Sequence, residues 1–155
     1  MLTHITPQRA AFIVFAVTAA TLVGAWLFEY YGYAPCELCL KQRWPYYVAI
    51  PFALALGLRG QSNPAFARNG LYVLVLVLLG SAIFGAYHAG VEWKWWAGPT
   101  TCSGAADFSS GLPDLTKPAV MCDEPALSIL GLSLAGWNGV ISLALAIVAL
   151  KGARS

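Results

Sequence analysis

Residues 10–28, from Ala10 to Phe28, read AAFIVFAVTAATLVGAWLF, without one charged side chain. A helix that spans a bilayer needs roughly 20 mainly apolar residues, and this run supplies that length. Two further uncharged runs match it, Gly70 to Tyr87 and Pro125 to Leu150. A fourth, Trp44 to Leu58, is shorter and needs help from the Cys36–Arg43 segment to cross. None of these runs alternates apolar with polar residues as barrel strands do. The pattern predicts a single all-α membrane domain, a four-transmembrane-helix bundle with spans at 10–28, 42–58, 70–87 and 132–150. Composition agrees. Of the 155 residues 59% are hydrophobic and 10% charged, whereas a soluble domain carries about 25% charged residues.

Four crossings put both termini and the 59–69 loop on one side of the membrane. That side carries Arg9, Arg59, Arg68, Lys151 and Arg154 and no acid. The opposite side, segments 29–41 and 88–131, carries all seven acids: Glu29, Glu37, Glu92, Asp107, Asp114, Asp123 and Glu124. It also holds Lys41, Arg43, Lys94 and Lys117. Cytoplasmic loops are enriched in Lys and Arg. Here the basic residues divide only five to four, but the five lie in much shorter segments. Both termini are therefore expected in the cytoplasm. All four cysteines then fall outside, where disulfides persist. Trp26, Trp44, Trp93, Trp95, Trp96 and Trp137 fall near the outer ends of spans, at headgroup level. The first span is long for a signal-peptide core of about 7–15 residues, and Glu29-Tyr30-Tyr31 offers no small-residue cleavage site. It is expected to remain in the protein.

Thr6-Pro7 suits the first turn of the first helix. Gly32 and Pro35 break the chain after it, Trp44-Pro45 leads into the second span, and Pro51 is expected to kink that span. Arg59 to Pro64 is turn-rich. The third span is expected to end near Tyr87-His88. Gly90 to Glu124 is the one long loop, and loops of that length tend to carry function or to lack order. Pro125 to Ser133 is expected to lie along the interface before the last helix descends.

The cysteines form a tight pair, Cys36-Glu37-Leu38-Cys39, and a loose pair, Cys102 and Cys122. A thiolate is the reactive form of cysteine, and its pKa falls at helix N-termini and beside cations. Pro35 before the tight pair and Lys41 and Arg43 after it supply both conditions if a helix starts here. Arg43 lies one helical turn past Cys39 on the same face. Its guanidinium can stabilise a Cys39 thiolate or donate to a carbonyl-type acceptor. Three readings stand side by side for the four cysteines. They can form a redox relay, a pair of inert structural disulfides, or a zinc site, since Cys-x-x-Cys serves metals too. The loose pair does not repeat the two-residue spacing, and an oxidising compartment favours disulfides, so no metal is expected. If bonded, Cys102 and Cys122 close a loop worth roughly 3 kcal/mol of chain entropy. That bond is either a staple or, in an exposed loop, the labile kind. His88, an ionisable group at the membrane boundary, is a functional candidate by the cost of placing it there.

The run Cys36-Glu37-Leu38-Cys39-Leu40-Lys41-Gln42-Arg43-Trp44-Pro45-Tyr46-Tyr47 resembles the signature of the DsbB family. These are bacterial inner-membrane enzymes that reoxidise the periplasmic thiol oxidase DsbA with quinone. Tyr87 to Trp93 and Pro99 to Cys102 look like that family's third-helix end and the start of its catalytic loop. Gly131 to Asn138 looks like the start of its fourth helix. The resemblance implies an inner-membrane, quinone-dependent dithiol oxidoreductase whose partners are a DsbA-like oxidase, the quinone pool (ubiquinone or menaquinone) and the bilayer, with no nucleic acid. It implies that Cys102 receives the partner's thiolate and that Cys122 passes electrons to Cys36. Cys39 would face the quinone, with Arg43 and His88 as quinone-contacting residues. A DsbA-type oxidase has a potential of about −120 mV, so its own oxidant must be stronger still, which favours quinone over glutathione. The Cys102–Cys122 loop is compact for the family. Vitamin K epoxide reductases also join four helices to paired cysteines, but there the Cys-x-x-Cys typically comes late and the loop pair early, the reverse of the order here.

Overall fold

The computed structural model describes residues 5–102 and 121–155. The segment 103–120, with Asp107, Asp114 and Lys117, lies outside the described residues. Five helices are present among those described: α1 Pro7–Tyr30, α2 Glu37–Lys41, α3 Trp44–Arg59, α4 Pro64–Glu92 and α5 Leu134–Arg154. Their starts follow from local chemistry. Thr6 caps α1 by accepting a hydrogen bond from the Arg9 N–H at 3.3 Å, with Pro7 at the first position. Asn63 caps α4 through the Phe66 N–H at 3.0 Å, followed by Pro64. Ser133 caps α5 through the Gly136 N–H at 3.1 Å. In each case a side-chain oxygen satisfies a backbone donor that the helix itself leaves free.

Three of these helices, α1, α4 and α5, are long and apolar enough to cross a membrane, so the chain reads as a multi-pass α-helical membrane protein. Helix α3 has 16 residues, or about 24 Å at 1.5 Å per residue, short of the ~30 Å hydrocarbon core. Pro51 lies in its interior. α1 packs on α3 and α5, α3 on α4, and α4 most extensively on α5. The core between them is built from small and branched residues: Ala10, Val14, Ala49, Ala53, Leu56, Leu71, Leu74, Leu78, Leu145 and Ala149. At the α4–α5 crossing a Cβ on Gly85 would lie 2.7 Å from the Gly139 nitrogen, so the two backbones meet with no side chain between them. Small residues let membrane helices approach in this way.

Near the cysteine-bearing end the structure adds two features to the sequence expectation. The third long helix does not stop at Tyr87-His88; α4 continues to Glu92. Gly90 stays helical because Trp96 folds back onto it, and a Cβ there would lie 2.1 Å from the Trp96 ring. Residues 128–133, within the stretch expected along the interface, form a small antiparallel hairpin that the sequence reading did not include, β1 Ser128–Ile129 with β2 Leu132–Ser133. Its turn residues Leu130 and Gly131 have φ of 54° and 81°, the left-handed pair that a two-residue hairpin loop needs.

Candidate active site

The tight cysteine pair sits where a helix begins. Cys36 is the N-cap of α2, and its Sγ accepts the Cys39 N–H at 3.1 Å. Cys36 is buried and Cys39 partly so, and both are free thiols. The loose pair is joined as a disulfide, Cys102–Cys122. Cys102 closes a 3-10 turn, Thr100–Cys102, that packs against α2. Cys36, Cys102 and Cys122 share one buried cluster with Leu38 and Val91, against which Cys39, Phe84 and Tyr87 pack. The disulfide is thus not exposed: Cys102 keeps 5% and Cys122 1% of its surface. Their shared hydrophobic environment is what the sequence could not show, because the two pairs lie far apart along the chain.

The two free thiols are unequal. Cys39 is held below the ordinary thiol range, mainly because the Cys36 thiol donates to it, with the Arg43 charge adding in the same direction; burial opposes both. Cys36 is pushed up by sharing its proton with Cys39, by burial and by the negative charge on Cys39. The Cys39 N–H on Cys36 Sγ pulls the other way and is outweighed. The directions of the two shifts favour the negative charge on Cys39 over Cys36. Arg43, expected to support it, is nine-tenths buried at its side chain and donates from Nη1 to Glu29 Oε2 at 2.7 Å. That ion pair ties the end of α1 to the start of α3.

His88 is 1% exposed. Its Nε2 lies 3.6 Å from Cys36 Sγ and 3.9 Å from Glu92 Oε1. Its Nδ1 is buried without a hydrogen-bond partner. The donor atoms of Cys36, Cys39 and His88 lie within 4.8 Å of one another, one ligand short of the four that close a structural zinc site.

Two concavities flank the cluster. On one side a cavity of about 480 Å³ opens between α1, α3, α5 and the hairpin. Its walls are almost wholly apolar, including Leu22, Phe28, Ile129, Trp137 and Ile141, and the Trp137 indole donates to the Ile129 carbonyl at 2.9 Å to fix the hairpin edge. Cys39 and Arg43 reach this cavity; His88 does not line it. Gln42, Tyr46 and Asn138, which were not picked out from sequence, do. The available signal was polarity in an uncharged run: an Asn in the first turns of an otherwise apolar span is costly to bury without a partner. On the other side an outer groove is lined by Lys94, Trp95, Trp96, Pro99, Cys102 and Asp123. Lys94 pairs with Asp123 across it, which holds the Asp123 carboxyl below the usual range. Trp96 stacks on Tyr87 with centroids 6.0 Å apart, and its indole donates to the Tyr87 carbonyl at 3.0 Å, which anchors the chain leading to Cys102.

A family description, disulfide bond formation protein DsbB, matches residues 7–151. A disulfide bond formation protein B of Albidiferax ferrireducens is 32% identical over 88% of this chain and 81% of that protein. A protein of the same description from an Azoarcus species is 31% identical over 84% of this chain and 83% of its own length. An uncharacterized protein of Rickettsia prowazekii is 27% identical over 87% of this chain and 81% of that protein. No solved structure matches the chain.

Proposed function

The chain belongs to the DsbB family of disulfide bond formation proteins, and from that premise we propose that it reoxidises a periplasmic DsbA-like thiol oxidase and passes the electrons to membrane quinone. In this reading α3 also crosses, as the second of four spans in chain order, with the short α2 at its outer end. Both termini face the cytoplasm and the cysteines face the periplasm of a bacterial inner membrane. The charge distribution and the outer placement of the tryptophans support that orientation.

The observation that carries the reading is the order of groups across the site. Of the two disulfide cysteines Cys102 borders the groove and keeps the larger exposure, 5% against 1% for Cys122, so it is the sulfur on the side from which a partner's thiolate approaches, while Cys122 packs with Cys36 in the buried cluster. The partner's thiolate attacks Cys102 Sγ and the Cys102–Cys122 bond breaks, releasing Cys122 as a thiolate. With the tight pair oxidised, Cys122 attacks Cys36 Sγ and Cys39 leaves as the thiolate, the state its surroundings favour. The partner's second thiol then releases it as a disulfide, and Cys102 reclaims Cys122 from Cys36. Two electrons and two protons have moved from the partner dithiol to the Cys36/Cys39 pair. His88, against Cys36 Sγ and next to Glu92, is placed to hold the proton of Cys36 during exchange.

The cavity beside Cys39 fits a quinone. It is an apolar space with a largely buried guanidinium and two uncommitted amide donors, which is what an apolar ring with carbonyl acceptors requires. When bound, quinone supplies the two-electron acceptor that regenerates the Cys36–Cys39 disulfide. The test is trapping. Cys122→Ser should accumulate a mixed disulfide with the partner through Cys102, and Cys36→Ser or Cys39→Ser should abolish steady-state turnover. Normal turnover in either of the last two would remove the relay.

A further inference from the structure

We propose that Gln42 and Asn138 are the side-chain donors that hold the carbonyl oxygens of the quinone, with Tyr46 as the residue that aims Asn138. The inference rests on the quinone reading above and adds to it the residues that orient the ring. Both residues line the cavity, and both are more than nine-tenths buried, with 7% and 8% of their surface exposed. Gln42 Nε2 and Asn138 Nδ2 have no hydrogen-bond partner. Leaving a buried donor unmade costs about 1–3 kcal/mol, so two such donors on one apolar wall call for an occupant that accepts hydrogen bonds.

The direction of the Asn138 amide is set by its neighbours. Tyr46 Oη lies 2.5 Å from the Asn138 side chain. That separation fits O–H···O and is too short for N–H···O, so Oδ1 faces the tyrosine and the amide nitrogen is left for the cavity. Tyr46 Oη is held in turn by Ser142 Oγ at 2.9 Å, and Ser142 by Ser81 Oγ at 3.0 Å. The chain of hydroxyls runs from α4 through α5 to α3, so three helices fix one amide. Gln42 enters from the α2–α3 junction, three residues after Cys39 and next to Arg43. Neutral donors carried by two different elements, the α2–α3 junction and α5, recognise an acceptor that is apolar elsewhere and presents only lone pairs, as a quinone ring does. A lipid ester carbonyl shares that chemistry, and water can satisfy the same donors.

The test uses the oxidised full-length protein in detergent and decylubiquinone, with binding measured by equilibrium dialysis. Asn138→Leu and Gln42→Met remove one donor each at similar volume. Each should raise Kd about tenfold, the equivalent of one hydrogen bond at about 1.4 kcal/mol. The KM for quinone should rise in parallel while the KM for the thiol partner stays. Tyr46→Phe, which keeps the aromatic wall and frees the amide to turn, should also raise Kd and keeps the proposal open to refutation if Asn138→Leu does not fold. A parent protein that binds decylubiquinone, with all three variants binding it equally well, overturns the inference and assigns the donors to water or lipid. A parent that binds no quinone at all overturns the quinone reading itself, and this inference with it.

Discussion

Gly85→Ala should loosen the protein where its two longest-packed helices meet, and Gly80→Ala should not. Both glycines lie in α4. A Cβ on Gly80 meets nothing within 4 Å, whereas one on Gly85 falls 2.7 Å from the Gly139 nitrogen and 2.8 Å from its Cα. Ordinary contact begins near 3.4 Å, so α4 and α5 must separate by roughly 0.7 Å, and the obstacle is backbone that no rotamer change can clear. Overpacking of this kind costs about 1–3 kcal/mol. The gain in helix propensity from Gly to Ala, up to about 1 kcal/mol, is common to both variants and cancels in their difference. Unfolding in mixed micelles with increasing SDS should therefore place Gly85→Ala about 1–3 kcal/mol below Gly80→Ala. Because Asn138 is the neighbour of Gly139, the quinone KM should rise in Gly85→Ala alone. Equal stability of the two variants would show that the α4–α5 approach is not as tight as 2.7 Å implies.

Other consequences are open to direct measurement. With the protein reduced, Cys39 lies below the ordinary thiol range and Cys36 above it. Iodoacetamide should then label Cys39 first, and its labelling should persist as pH falls from 8 toward 6, where a thiol of ordinary pKa of about 8.5 becomes unreactive; mass spectrometry showing Cys36 modified first would reverse the assignment. Arg43→Ala should raise the quinone KM more than the KM for the thiol partner. A fall in folded yield with unaltered quinone kinetics would instead make the Arg43–Glu29 pair a structural tie. Gly90→Val should push the Trp96 ring off α4 and slow the partner's attack at Cys102, read by stopped flow, while the quinone KM holds steady.

Much of this was legible in the chain. The uncharged runs marked the long helices because a bilayer fixes their length, and Thr6-Pro7 and Pro35 marked where helices begin. The Cys36/Cys39 pair could be placed at a helix start because a cap and a cation are local features. What could not be read depends on contacts distant in sequence. Gly90 looked like a helix end, yet it continues the helix because Trp96 needs the space above it. The contact of His88 with Cys36 Sγ joins residues 52 apart in the chain, so the sequence offered no sign of it. The Tyr46–Asn138–Ser142–Ser81 chain joins three helices, and no spacing rule within one helix reveals it. The loose cysteine pair, which could have been an exposed loop bond, is buried beside the tight pair.

The central claim is that electrons from a protein dithiol leave through Cys39 into the cavity beside it. Anaerobic mixing of the oxidised protein with a reduced DsbA-like partner and ubiquinone or menaquinone, followed by quinone absorbance, tests this most directly. One quinone should be bleached for each partner dithiol oxidised, and Cys39→Ser should stop the bleaching while mixed disulfide still forms at Cys102. Oxidation of the partner with no loss of quinone absorbance, or unchanged bleaching by Cys39→Ser, would contradict the account.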